Sequence, residues 1–261
     1  MRWLVASLAL LAWAPETLAD EALFERGTAA LERSKIAQAL QDFETLADQG
    51  PPHPDVSYNR GLAYAARARS PSAMPGDLGR AAAAFEEARR LDPRDGEAER
   101  ALELVRAEVT RRRSKLDKKD VVVRPSLDRV VARWVSPGGW GLLAIAASTT
   151  FAIGLVLRQR AQRTWHVVGA VAAPLALVLL LLLLPMAVFA RNLAENTRPA
   201  VVVVPETVLE DDDGKPIDAP PLPEATLVEL GGRKNDRVAA RWGSYEGWLP
   251  AAHLRPLVLP D

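Results

Sequence analysis

Catalysis needs a positioned base, nucleophile or metal, and the side chains able to serve are scattered here. His53 lies among prolines, His166 follows Trp165 at the start of an apolar run, and His253 falls near the C-terminal end; nothing pairs them. There is no phosphate-cradling glycine loop, no HExxH and no GxSxG. Cysteine is absent, which removes thiolate nucleophiles, disulfides and Cys-ligated zinc together and suits a chain exported to an oxidising space. The acidic run Glu210-Asp211-Asp212-Asp213-Gly214 invites a calcium reading. Placing Gly214 at the sixth position of an EF-hand loop puts Leu209 first and Pro220 twelfth, where oxygen ligands are required, so the run reads as a solvated turn. These residues describe a protein that is not an enzyme, with no cofactor and no metal.

The elements that must position whatever chemistry exists are read from the distribution of charge. Lys plus Arg and Asp plus Glu are 33 each, so no global field favours nucleic acid. Half of the residues are apolar, but the apolar ones are gathered in two late blocks, while the first half is dense in Arg, Glu and Ala. The expected partners are a lipid bilayer and other proteins.

Arg2, an apolar run from Trp3 to Ala14, and Thr17 and Ala19 at the minus three and minus one positions read as a secretory signal over 1–19, cleaved after Ala19. As a helix that apolar run would reach only about 18 Å, against a hydrocarbon core of about 30 Å. An uncleaved anchor or a buried helix is the other reading.

Trp140 to Leu157 and Trp165 to Ala190 carry no Asp, Glu, Lys or Arg, and both are long enough to span a bilayer. They predict transmembrane helices over 138–157 and 165–190, joined by the loop 158–164 and preceded by a juxtamembrane linker over 119–137. Trp140, Trp165, Arg158 and Arg191 sit where interfacial anchors belong. The loop carries Arg158, Arg160 and Arg163, which places it in the cytoplasm and both soluble parts on the periplasmic side of a bacterial inner membrane. The Lys119, Arg124, Arg129 and Arg133 before the first span oppose that orientation; the signal favours it. Without ionisable residues inside, the spans offer no ion or proton pathway, and Ser148, Thr149 and Thr150 are expected to bond their own helix or a neighbour.

From Asp20 to Leu116 the composition is that of helices, broken at Gly50-Pro51-Pro52 and between Ser70 and Gly79. Gly27 recurs as Gly61 after 34 residues; Ala39, Phe43 and Pro51 recur as Ala81, Phe85 and Pro93 after 42. The pattern resembles the tetratricopeptide family, whose unit has a small residue in its first helix, Ala and Phe in its second and a closing Pro. Its typical early aromatic is missing, Leu23 and Ser57 standing instead, and the added eight residues fall between the helices of the second unit. Ala98, Ala101, Leu102, Val105 and Val109 lie at helical spacing and predict a capping helix that completes an all-α array over 20–118. A plain helical bundle without a groove is the alternative. The resemblance implies a concave peptide-binding groove lined by Phe24, Thr28, Leu31, Tyr58, Asn59 and Leu62, with the Asn59 amide suited to an extended backbone.

Past Arg198, short β-branched runs at 200–204, 225–230, 237–242 and 247–249, punctuated by Gly and Pro, predict a small all-β unit over 198–261. The ending from Arg241 to Leu254, with Gly247-Trp248 after a tight turn, resembles the last turn of bacterial SH3-like domains. That likeness implies an SH3-like barrel with Trp248 in its core and Trp242 and Tyr245 on a ligand surface. The fold class is therefore a multidomain membrane protein: helical array, two-helix transmembrane hairpin and C-terminal SH3-like barrel. The order of these parts, with the Pro125-Ser126 juncture, is similar to the BatE-like family of aerotolerance operon proteins. The family resemblance implies a non-enzymatic envelope scaffold or adaptor whose partners are von Willebrand A-type Bat membrane proteins and a MoxR-type ATPase system. A cell-wall module recognising peptidoglycan peptides is the alternative.

Overall fold

The computed structural model describes residues 20–94, 96–116, 135–159, 163–196 and 198–258. The signal, most of the juxtamembrane linker, the centre of the arginine loop and the last three residues lie outside them. Two compact units result: one comprises the helices before residue 122 and the chain from Arg198 onward, the other residues Val123–Thr197.

In the first unit the helices are α1 (20–32), α2 (Ile36–Gln49), α3 (Pro54–Arg67), α4 (Asp77–Leu91) and α5 (Gly96–Lys115). Consecutive helices from α2 to α5 pack on one another. Local chemistry sets the boundaries. Gly50-Pro51-Pro52 cannot continue α2, and His53 caps α3, its Nδ1 accepting the Asp55 N–H at 3.2 Å, with Pro54 at the first helical position. The repeat seen in the sequence is a repeat of packing. A β-carbon on Gly27 would stand 3.0 Å from the Phe43 ring, and one on Gly61 2.6 Å from the Phe85 ring. Phe24 meets Phe43 edge-on at 6.1 Å, as Tyr58 meets Phe85 at 5.6 Å, one repeat later. On α5 the buried face is Ala98, Leu102, Val105, Val109 and Arg113.

The C-terminal part contains β1 (Arg198–Val202), β2 (Glu206–Thr207), β3 (Leu222–Pro223), β4 (Leu227–Lys234), β5 (Arg237–Trp242), β6 (Tyr245–Pro250), a 3-10 turn (Ala251–His253) and β7 (Leu254–Pro256). β1, β4, β5, β6 and β7 form an antiparallel sheet in the order β6-β5-β4-β1-β7; β2 pairs with β3 apart from it. The sheet is open, which corrects the closed barrel expected from the sequence. The reason lies at its edges. After the 3-10 turn β7 pairs with β1 rather than with β6, and Arg255 and Leu257 go to the helices. β6 is instead flanked by Glu210, which exchanges backbone hydrogen bonds with Trp248 at 3.0 and 2.8 Å.

Strand β1 decides how the unit is held together. Ala200 and Val202 point into the core of the sheet, with Leu209, Leu222, Val228, Ala240 and Leu249. Val201, between them, enters the helical core beside Ala225 and Leu257. All three β1 residues are nearly inaccessible. A strand covered on both faces reads as an unbroken apolar run, as 200–204 does. Close approach by small residues makes the junction: a β-carbon on Gly79 would stand 2.5 Å from the Val202 carbonyl oxygen, and Gly76, at φ +81°, lies against Val203.

Period-2 alternation corrects the expectation for Trp248. Leu249 is the core residue, whereas Trp248 is half-buried on the other face, and its indole N–H donates to the Asp212 carboxylate at 2.9 Å. Trp248→Phe is expected to leave the sheet folded and to cost about 1 kcal/mol, the worth of one exposed hydrogen bond, in the urea midpoint.

The second unit is a helical hairpin of α6 (Pro137–Arg158) and α7 (Arg163–Asn196). Ser136 caps α6 through the Gly139 N–H at 3.1 Å, with Pro137 at the first position. Small residues carry the contact: Gly154 is against Ala173, and Gly169 against the backbone at Gly154 and Leu157. The large apolar side chains are turned outward, Leu142, Leu181 and Leu182 being more than three-fifths exposed. Both helices are long and apolar enough to cross a membrane, over Gly138–Arg158 and Arg163–Asn192, with mean hydropathies of 1.9 and 2.9. Thr149 and Thr150 donate to the carbonyls of Ile145 and Ala146, four residues back. In α7, the helix continues past the apolar run to Asn196 and accommodates Pro174 and Pro185.

Candidate functional site

Each histidine has a structural partner. His53 caps α3, His166 Nδ1 lies 2.6 Å from the Arg158 carbonyl oxygen, and His253 Nδ1 lies 2.9 Å from Thr207 Oγ1. The acidic run forms a turn in which the Asp211 carboxylate accepts the N–H groups of Asp213 and Lys215, both at 2.9 Å. Backbone hydrogen bonding, above all from Lys215, holds that carboxyl below its ordinary range.

The six groove candidates divide. Phe24, Leu31, Tyr58 and Leu62 are partly buried against the helical core, and Thr28 donates its hydroxyl to the Phe24 carbonyl at 2.9 Å. Asn59 is partly exposed on α3. Phe24 lines a cavity of about 330 Å³ with residues at the end of α2 and the start of α3; the other five do not line it. In the sheet, Trp242 and Tyr245 face one another across the Gly243-Ser244 turn, ring centres 6.4 Å apart, both half-buried against the sheet core.

The most concentrated polar chemistry was not among the candidates. Where β7 meets the helices, Arg255 donates both guanidinium arms to Glu44, at 3.0 and 2.7 Å, and the Tyr64 hydroxyl donates to the same carboxylate at 2.7 Å. Alongside, Glu87 accepts Arg60 at 3.0 Å and the Ser57 hydroxyl at 2.6 Å. Arg60 is 2 % exposed, and its Nε has no hydrogen-bond partner. Burial pushes the Glu44 carboxyl up, but Arg255, the Tyr64 hydroxyl and Arg60 outweigh it, so it stays below the ordinary carboxylate range. Burial, then the bond to Glu44, raises Tyr64. Glu44 therefore adds stability above the ordinary carboxylate pKa that is lost as pH falls through its lowered native value. The signal available in the sequence was Ser57, Arg60 and Tyr64 at helical spacing on α3, a stripe equally compatible with a solvated face.

Glu224 has the opposite sign. It accepts the Gly79 N–H at 3.1 Å, but burial dominates and raises its carboxyl above the ordinary range. A raised native value means that the ionised form costs stability, with the cost absent below the unfolded pKa and complete above the native one. Glu224→Gln keeps an acceptor for Gly79. It is expected to raise the urea midpoint at neutral pH, with the gain shrinking as pH falls through that window; a gain that does not change with pH would contradict the assignment.

Comparison with protein families, curated proteins and solved structures returns no match.

Proposed function

We propose that the chain is a membrane-anchored, non-enzymatic adaptor of the bacterial envelope that gathers partner proteins beside the bilayer. The observation that supports it is topological. The segments before and after the hairpin pack into one unit with a common core, so they share one side of any membrane the hairpin crosses, as two spans require. The signal-like segment and the arginines at 158–163 make that side the periplasm. Helix pairs with repeated Gly–Phe packing support the tetratricopeptide reading. On this reading the chain is BatE-like, with von Willebrand A-type Bat proteins and a MoxR-type ATPase system as partners. The half-exposed Trp242–Tyr245 pair favours a second reading, in which the sheet holds peptidoglycan peptides.

Reporter fusions test the arrangement. A reporter active only outside the cytoplasm should work after Leu116 and after Asp261, and a cytoplasmic reporter at Gln162; external activity at Gln162 would sink the arrangement. Crosslinking in membranes followed by purification should recover other membrane proteins. Retention on purified cell wall without any such protein would favour the second reading.

A further inference from the structure

Two cavities meet at the turn between α2 and α3. The larger, about 330 Å³, has apolar walls from Phe24, Leu46, Pro51 and Val56, and its other lining residues include the carboxylates Asp20, Glu21 and Asp55 but no lysine or arginine. The smaller, about 110 Å³, shares Pro51, His53 and Val56 with it and reaches Ser57, Arg60 and Glu87. Acids at the starts of α1 and α3 suit the helix dipoles, but both starts converge on one apolar cavity, leaving carboxylates around a wall that water wets poorly. In the adjoining cavity, which Arg255 also lines, buried Arg60 is already paired: it donates to Glu87 at 3.0 Å and its Nε lies 4.0 Å from the Glu44 carboxylate.

We propose that the larger cavity takes an extended segment of a partner protein carrying one aliphatic or aromatic side chain flanked by lysine or arginine. The apolar side chain fills the larger cavity, and the basic flank faces Asp20, Glu21 and Asp55. The proposal rests on the adaptor reading and moves the binding place from the face of α1 and α3 that carries Tyr58 and Asn59 to the α2–α3 turn.

The test uses the full-length protein in detergent micelles and a fluorescent, end-blocked eight-residue peptide with a central leucine between lysines. Replacing the leucine by serine, or the lysines by glutamates, should weaken binding about tenfold or more, as should raising salt to about 0.5 M. Val56→Trp, which fills the shared wall, should weaken it similarly. So should Asp55→Lys, at a side chain 69 % exposed, with a fall in melting temperature of no more than a few degrees, the cost of a cation at the start of α3. The proposal is overturned if the lysine peptide fails to bind at about millimolar concentration, if glutamate flanks bind as well, or if both variants bind normally. Membrane proteins crosslinked equally to both variants and to the unaltered chain would also overturn it while leaving the adaptor reading standing. Recovery of none by the unaltered chain would sink the adaptor reading itself.

Discussion

Phe85→Ala is expected to remove about 3–5 kcal/mol from the unit formed by the helices and the sheet, a large share of the roughly 5–15 kcal/mol that holds a domain folded. Phe85 is 1 % exposed and lies on Gly61 and against Tyr58, where the second helix pair closes. Truncation leaves a cavity that the neighbouring helices cannot fill, because Gly61 has no side chain to offer. Amide hydrogen exchange, resolved by fragment, should show α3 and α4 losing protection together. The reciprocal change is informative. Gly61→Ala drives a methyl into the Phe85 ring and is expected to cost about 1–3 kcal/mol, as overpacking does. Combined with Phe85→Leu it should cost less than the sum of the two changes by more than about 0.5 kcal/mol. Simple additivity would mean that the two residues do not form one packing unit.

Gly76→Ala should cost about 2–5 kcal/mol for two separate reasons. Gly76 precedes α4 with φ +81°, where a side chain costs about 1–2 kcal/mol, and a β-carbon there would overlap the Val203 carbonyl oxygen. Relieving that overlap moves backbone against backbone, at about 1–3 kcal/mol. The expected result is a loosened junction: faster exchange in both α4 and β1, with the β5–β6 hairpin, which does not touch the junction, protected as before. Loss of protection in α4 alone would show that the strain is local and that the helices and the sheet are not held there.

The helix pairs, the hairpin and the strands were legible because each rests on local periodicity. Gly27 and Gly61 announce their phenylalanine partners by spacing alone, and two long uncharged runs give helices long and apolar enough to cross a membrane. The ligand candidates were less legible. Phe24 and Tyr58 were placed on the expected helices but are largely taken up by Phe43 and Phe85, since an aromatic beside a glycine gains more from filling that space than from facing water. The Glu44, Arg255 and Tyr64 cluster joins residues up to 211 positions apart, and no spacing rule reaches that far.

By itself the sequence determined the inventory: helices first, a pair of long apolar helices, strands last. Side-chain period and length suffice for that, because hydrogen bonding and burial along one element are local matters. Tertiary structure decided that the helices before residue 122 and the chain from Arg198 onward are one unit, that the sheet stays open, and that Leu249 rather than Trp248 is the core residue. The physical reason is the second face of β1. Val201 must be buried as completely as Ala200 and Val202, and the surface available to cover it belongs to helices more than a hundred residues away in the chain.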